Sequence, residues 1–230
     1  MINLLIFKTT NYDHNRINNK LFDKSYKDII DNRICLSEND LDNYITNIIN
    51  NIIKKYGRRG YGYWIWKPYI ILQELNKLKD NDILIFCDTH VDFDTIELSN
   101  IIEHLYNSDK PLIIASGGWD DYMFTTTKLK NVIEKYLNYN FSKEELESFQ
   151  YEAGIIFMKK CDFVINFYKQ YFDIMINNID AITDVYNNDK VNHSTFIENR
   201  HDQSVCSLLA KYYKINTLNL SWSDFHNIIK

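Results

Sequence analysis

The sequence predicts an α/β domain: a mostly parallel central sheet with helices on both faces. Two patterns carry that expectation. Unbroken apolar runs at residues 4–7 and 83–86 suit strands buried on both sides, and helical repeats of apolar residues alternate with them along the chain. With only 2 prolines and 6 glycines, nothing reads as a Pro/Gly linker, and residues 1–230 are expected to form one domain.

The first strand is expected over residues 3–9, where Leu4, Leu5, Ile6 and Phe7 run into the polar turn Thr9-Thr10-Asn11. From 40 to 56, Leu41, Tyr44, Ile45, Ile48, Ile49, Ile52 and Ile53 recur at three- and four-residue spacing, which predicts an amphipathic helix. Ser37 is its expected N-cap, Asp40 stands at the capping-box position, and Gly57 would end it. Pro68 opens a second helical repeat of Tyr69, Leu72, Leu75 and Leu78. A polar turn, Lys79-Asp80-Asn81-Asp82, then leads into the strand at 83–86. Further helices are expected at 96–106, 163–176 and 202–212, and strands at 112–115 and 154–158. In such sheets ligands bind beyond the carboxyl ends of the strands, so the residues following each strand are the first to inspect.

Composition excludes several function classes. Lys+Arg 26 against Asp+Glu 31 gives a net charge of -5, which lacks the basic field that binds nucleic acid. No apolar run approaches the roughly 20 residues that cross a bilayer, and no basic leader precedes the first apolar run, so neither a membrane span nor a secretion signal is expected. Cys35, Cys87, Cys161 and Cys206 are widely spaced, which argues for reduced thiols and a cytoplasmic protein.

Four segments carry candidate chemistry. After the strand at 83–86 comes Cys87-Asp88-Thr89-His90-Val91-Asp92, where extended geometry would put Asp88, His90 and Asp92 on one face. Carboxylate oxygen and imidazole nitrogen suit Mn²⁺ or Mg²⁺; the plainer account is a turn capped by Asp88 and Thr89. The segment Arg58-Arg59-Gly60-Tyr61-Gly62-Tyr63-Trp64-Ile65-Trp66-Lys67-Pro68 gathers three cations and four aromatics at a helix N-terminus, as a flexible phosphate and sugar contact would, with Lys67 facing the ligand. Core packing is the ordinary use of Trp64 and Trp66, and at least one is expected to be buried. Gln150-Tyr151-Glu152-Ala153-Gly154 sets a carboxylate at a small-residue strand entry, and Arg200-His201-Asp202-Gln203-Ser204 opens the last helix, where Asp202 is a candidate either for chemistry or for a cap. Near the C-terminus His226 is flanked by aromatics and is a candidate ligand or a structural histidine.

In that order, the aromatic-Trp-Lys-Pro segment, the Asp88 strand end, Gln-Tyr-Glu-Ala-Gly and Arg-His-Asp-Gln-Ser resemble a family of small GT-A-fold glycosyltransferases of bacterial surface-polysaccharide clusters and large DNA viruses. The layout is more distantly similar to glycogenin-like sugar transferases. The resemblance spans roughly residues 2–226 and implies a metal-dependent transfer of a hexose or deoxyhexose from a nucleotide-diphosphate sugar to a glycan or glycoconjugate hydroxyl. A UDP-sugar is the implied donor, with GDP- and dTDP-sugars open. By position, Asp88, His90 and His226 match the metal shell, His90 standing where the relatives have a second Asp and Asp92 being a fallback ligand. Asp202 and then Glu152 are the implied catalytic carboxylates. The implied donor-binding set is Thr9, Asn11, Tyr12, Arg59, Tyr63, Trp66, Lys67 and Gln203. Trp119-Asp120-Asp121-Tyr122 resembles an acceptor-side loop, making Asp120 and Asp121 secondary acid/base candidates.

The divalent ion would neutralise the departing diphosphate, aided by Lys67 and Arg59, and the carboxylate would take the acceptor proton or steady a positively charged sugar. Two alternatives remain open: a metal-dependent phosphoesterase using Asp88, His90, His201 and Asp202, and a non-catalytic carbohydrate-binding module that uses the aromatics alone.

Overall fold

The computed structural model describes residues 1–9, 27–89 and 95–215. Its centre is a five-stranded sheet of β1 (Ile2–Lys8), β2 (Asn32–Ser37), β3 (Ile83–Cys87), β4 (Leu112–Asp120) and β5 (Phe149–Lys159) in the spatial order β2-β1-β3-β5-β4. β1 pairs parallel with both β2 and β3, and β5 runs antiparallel between β3 and β4. Four of the strands therefore point the same way, as expected of a mostly parallel sheet, and β5 opposes them.

Because side chains alternate across a strand, the apolar runs supply two cores at once. Leu5, Phe7, Leu84, Phe86, Leu112, Ile114, Ile156 and Met158 face a large core. It is filled by α1 (Asn43–Tyr56), α2 (Trp66–Lys77), α4 (Thr127–Leu137), α5 (Asp162–Asn177) and α6 (Asp202–Tyr212). Leu4, Ile6, Ile83, Ile85, Cys87, Ile113, Ile155 and Phe157 face the opposite side, where α3 (Thr95–Asn107) packs through Leu98, Ile101, Ile102 and Leu105.

Local signals placed most boundaries within a few residues. Gly57 does end α1, at φ 95° and with its N–H on the Ile53 carbonyl at 2.9 Å. The start of α1 differs from expectation: Asp42 is the N-cap, accepting from the Ile45 N–H at 3.0 Å. Ser37 and Asp40 instead close a 3₁₀ turn at Glu38–Asp40, the Asp40 carboxylate accepting from the Ser37 N–H and hydroxyl at 2.8 and 2.6 Å. Among the longer described elements, β2 and α4 fall outside the expected set. β2 is a half-buried edge strand whose apolar run is only Ile34-Cys35-Leu36, and α4 lays the stripe Leu129, Val132, Ile133 and Leu137 on the large core.

The Gly-Tyr-Gly-Tyr-Trp segment departs most from expectation. Rather than a flexible contact, residues 60–64 form a left-handed helical turn, with φ of 54° at Gly60, 50° at Tyr61, 83° at Gly62, and 57° at both Tyr63 and Trp64. Left-handed backbone costs a non-glycine residue about 1–2 kcal/mol. Internal hydrogen bonds, Tyr63 N–H to Arg59 O at 2.7 Å and Trp64 N–H to Gly60 O at 3.1 Å, offset that cost. Packing does the rest: Trp66 stacks on Phe7 with ring centroids 4.0 Å apart, and Tyr61 stacks on the same ring at 6.5 Å. A Cβ on Gly60 would fall 2.3 Å from the Trp64 ring. Gly60→Ala is therefore expected to cost upwards of about 2 kcal/mol, read as a lowered midpoint in urea unfolding.

Candidate functional site

The site lies beyond the carboxyl end of β3 and is assembled by a buried lysine. Asp88 follows β3 directly, and its N–H donates to the Gly154 carbonyl at 2.8 Å, extending the pairing with β5 by one residue. Alternation puts Asp88 on the face of Leu84 and Phe86, toward α2 and α6. Gly154 leaves room for it, since a Cβ there would stand 3.1 Å from Asp88 Oδ2. Lys67, the second residue of α2, is 3% exposed. Its Nζ lies 2.9 Å from Asp202 Oδ2 and 3.6 Å from Asp88 Oδ1, donates to the Ala153 carbonyl at 3.1 Å, and sits 5.4 Å from the centre of the Phe86 ring. One ammonium thus joins α2, the β3 end, β5 and the first residue of α6.

Titration follows from this geometry. Burial pushes the Asp202 carboxyl up to about 6, with Lys67 opposing. Lys67 is itself held protonated: burial works against its charge, and the Asp202 and Asp88 carboxylates outweigh burial. Glu152 is raised by burial, with Arg200 and Lys67 opposing and Asp88 and Asp202 adding to the rise. Its carboxylate crosses β4 at Gly117, where a Cβ would lie 2.6 Å from Glu152 Oε1. Three carboxylates, Asp88, Glu152 and Asp202, and two cations, Lys67 and Arg200, therefore share one electrostatic neighbourhood.

The structure distributes the remaining candidates differently from the sequence expectation. Lys67 does not face outward; its charge is spent on two carboxylates and a carbonyl. Trp66 is a core residue, 4% exposed, its indole N–H on the Gly60 carbonyl at 3.0 Å. Tyr63 is buried with its hydroxyl 3.1 Å from both Tyr56 O and Asp184 Oδ2, and Arg59 pairs with Asp184 at 2.9 Å and Glu198 at 3.3 Å. Gln203 donates its side-chain amide to Gln150 Oε1 at 2.8 Å. Thr9 follows β1 at the same end of the sheet. Asn11, Tyr12, His90, Asp92 and His226 lie outside the described residues.

On the acceptor-side loop, Asp120 caps a single helical turn (Asp121–Phe124), accepting from the Met123 N–H at 2.9 Å. Asp121 is 1% exposed beneath it and surrounded by the donors of Lys211, Ser207, Gln150 and Thr125, so its oxygens are out of reach of a substrate proton. His201 is likewise unavailable to a metal. It is 2% exposed, its Nδ1 lies 2.7 Å from the Ile182 carbonyl, and its ring stacks on Trp64 at 5.5 Å and meets Tyr63 edge-on at 5.0 Å. Arg200 received no role from the sequence. The signal was available, in a cation two residues before the acidic opening of α6.

Among the described residues no group of three His, Cys, Asp or Glu side chains converges to hold a metal. Asp88 nevertheless fits one: it offers hard oxygens, and its side chain is 26% exposed, whereas Asp202 is 6% exposed and occupied by Lys67.

No family model matches the chain, and no curated protein matches it. Among solved structures, it is similar to a glycosyltransferase involved in glycosylation of the major capsid of PBCV-1, at 11% identity and TM-score 0.41 over 85% of this chain and 79% of that one. It is also similar to mouse xyloside xylosyltransferase 1 in its apo form, at 10% identity and TM-score 0.45 over 94% and 84%. A third is the galactosyltransferase LgtC in complex with donor and acceptor sugar analogues, at 12% identity and TM-score 0.46 over 94% and 73%.

His201 makes a prediction about acid stability. Burial lowers its imidazole to about 4, so the neutral ring's contribution is complete above the ordinary value of 6.5 and is lost as pH falls toward 4. Asp202 acts with the opposite sign between about 4 and about 6, because its raised carboxyl favours the protonated folded state. His201→Asn removes only the first effect. The melting-temperature gap between wild type and His201→Asn is expected to narrow steadily from pH 7 to pH 4.5.

Proposed function

We propose that this chain is a metal-dependent glycosyltransferase that moves a hexose or deoxyhexose from a nucleotide-diphosphate sugar, a UDP-sugar first among them, to a hydroxyl of a glycan or glycoconjugate. The observation that carries the reading is the Lys67 ammonium buried between Asp88 and Asp202 at the carboxyl end of the sheet. It holds two carboxylates of different accessibility in fixed positions. Asp88 is the more exposed and would hold Mn²⁺ or Mg²⁺ together with His90 and His226. When bound, that ion supplies positive charge to the departing diphosphate.

The chain's own residues do the rest. Asp202, with its carboxyl pushed up to about 6, is ionised near neutral pH and would take the acceptor proton or steady a positively charged sugar. Glu152, partly screened by Arg200, is the second carboxylate of the pair. Arg200 adds a cation that acts on Glu152. Trp119, 49% exposed at the end of β4, offers a ring face on which a sugar can stack. The neighbours' glycosyltransferase activities agree with this reading. In this proposal residues 1–230 act as one catalytic domain in the cytoplasm, in surface-polysaccharide biosynthesis, with Cys35, Cys87, Cys161 and Cys206 as free thiols.

The test is incubation with Mn²⁺ and a panel of UDP-, GDP- and dTDP-sugars, measuring nucleoside diphosphate release. Release from one donor class, dependent on the metal, is expected; phosphate release from generic esters would point to a phosphoesterase instead. Asp88→Asn is expected to abolish metal-dependent turnover, and Asp202→Asn to lower turnover by about 10²-fold or more with donor binding largely retained. Wild-type turnover should rise as pH passes through about 6, and Asp202→Asn should lack that limb. Lys67→Met leaves Asp202 buried without its cation, so it should lower both turnover and melting temperature, by about 3 kcal/mol or more in stability.

A further inference from the structure

Asp121, set aside above as an acid or base, has another role to play. Its Oδ1 accepts from Gln150 Nε2 at 2.9 Å and from Thr125 Oγ1 at 3.3 Å, and its Oδ2 accepts from Ser207 Oγ at 2.9 Å and pairs with Lys211 Nζ. A carboxylate in such a setting is acceptor only. Gln150, 1% exposed, must therefore turn its NH₂ toward Asp121, because the reverse orientation would set two acceptors against each other in a dry interior. That leaves Gln150 Oε1 pointing the other way, where it accepts from Gln203 Nε2 at 2.8 Å. The same logic then fixes Gln203. Its NH₂ is committed to Gln150, and its Oε1 has no hydrogen-bond partner among the described residues. Gln203 is half-buried and follows Asp202 directly at the start of α6.

We propose that Asp121 and Gln150 are positioning residues that fix the polarity of the Gln203 amide, so that its unpartnered carbonyl oxygen accepts a hydrogen bond from one hydroxyl of the transferred sugar. The hydroxyl half of this proposal rests on the glycosyl-transfer reading; the polarity half does not. An amide that could flip would offer an acceptor or a donor with equal ease and would discriminate poorly. Anchored to a carboxylate two side chains away, it offers only an acceptor. A sugar carrying a hydroxyl at that point is bound, and one lacking it leaves the oxygen unpaired, which is how a polar site rejects a deoxygenated analogue. Lys211 secures the anchor by donating to the carbonyls of Glu145 and Ser148 just before β5, so the carboxylate cannot turn away from Gln150.

Gln150→Met keeps the shape and removes both ends of the relay. Without any nucleotide sugar, the Gln203 side-chain amide protons are expected to exchange slowly with solvent in wild type and at least tenfold faster in Gln150→Met, both measured well below their melting temperatures. Unprotected Gln203 amide protons in wild type would overturn the polarity half. With the donor that wild type turns over, a set of single-deoxy analogues should show one position whose loss lowers kcat/KM by about tenfold. In Gln150→Met that penalty should shrink toward unity while the other positions keep theirs. Gln203→Glu added to Gln150→Met, which restores an acceptor whichever way the group turns, should recover part of the penalty. A uniform loss across all analogues, or no change at any position, would overturn the specificity role. Absence of turnover with every nucleotide sugar would overturn glycosyl transfer, and with it the hydroxyl half, while the amide exchange decides the relay on its own.

Discussion

A single ammonium, Lys67 Nζ, holds the carboxyl edge of this sheet together. Burying a charge is costly unless partners compensate it, and here they come from three separate parts of the chain: Asp202 at 2.9 Å, the Ala153 carbonyl at 3.1 Å and Asp88 at 3.6 Å. The arrangement is asymmetric. Asp202 is the closer and the more deeply buried partner, whereas Asp88 is a longer contact whose side chain keeps a quarter of its surface open. Lys67 thereby divides two carboxylates into one embedded in the protein and one partly open to solvent. Asp88 and the neighbouring Glu152 also depend on missing side chains opposite them, Gly154 beside Asp88 and Gly117 beside Glu152.

The left-handed turn at residues 60–64 explains why Lys67 can be there at all. The chain leaves α1 at Gly57 and must reverse and enter α2 so that the second residue of that helix points at the end of β3. A right-handed continuation from Gly60 would aim α2 elsewhere. The left-handed turn makes the reversal compact, and Phe7, at the end of β1, takes Tyr61 and Trp66 on its ring. The aromatics of this segment serve the geometry of the backbone. His201, at φ 53° on the other side, stacks on Trp64 and ties the turn to the start of α6, so both elements that supply the Lys67–Asp202 pair share one aromatic contact.

Much of this was legible in the sequence because it rests on local patterns. The apolar runs of β1 and β3, the repeat of α1, Gly57 and the opening of α6 at Asp202 each announce themselves within a few residues. What stayed hidden depends on partners distant in sequence. β2 is an edge strand whose residues are half-buried only because β1 lies beside them. The antiparallel course of β5 follows from pairing with β3 and β4, which no run of residues reveals. The three carboxylates singled out in the sequence, Asp88, Asp202 and Glu152, lie near one another, while Lys67 looked like an outward cation because its two carboxylate partners lie 21 and 135 positions away. Trp66 and Tyr63 read as ligand contacts for the same reason: the Phe7 ring and the Asp184 carboxylate that occupy them are remote in the chain.

Asp121 and Asp202 show how environment separates two outwardly similar residues. Each is an aspartate almost wholly removed from solvent, each is paired with a lysine, and α6 contributes one partner to each pair: Asp202 to Lys67, and Lys211 to Asp121. Asp121 is enclosed by an ammonium, two hydroxyls and an amide, and every oxygen is committed. Such a group has nothing left to offer a reacting molecule, and its value is in orienting what surrounds it. Asp202 has one cation and the weaker compensation of a helix start, so burial is only partly answered and its carboxyl rises to about 6. A proton can therefore come and go near neutral pH at Asp202, on a helix held in register by the fully satisfied carboxylate at its far end. The contrast is set by the number of donors around each group: Asp121 has every oxygen answered, whereas burial at Asp202 is only partly offset.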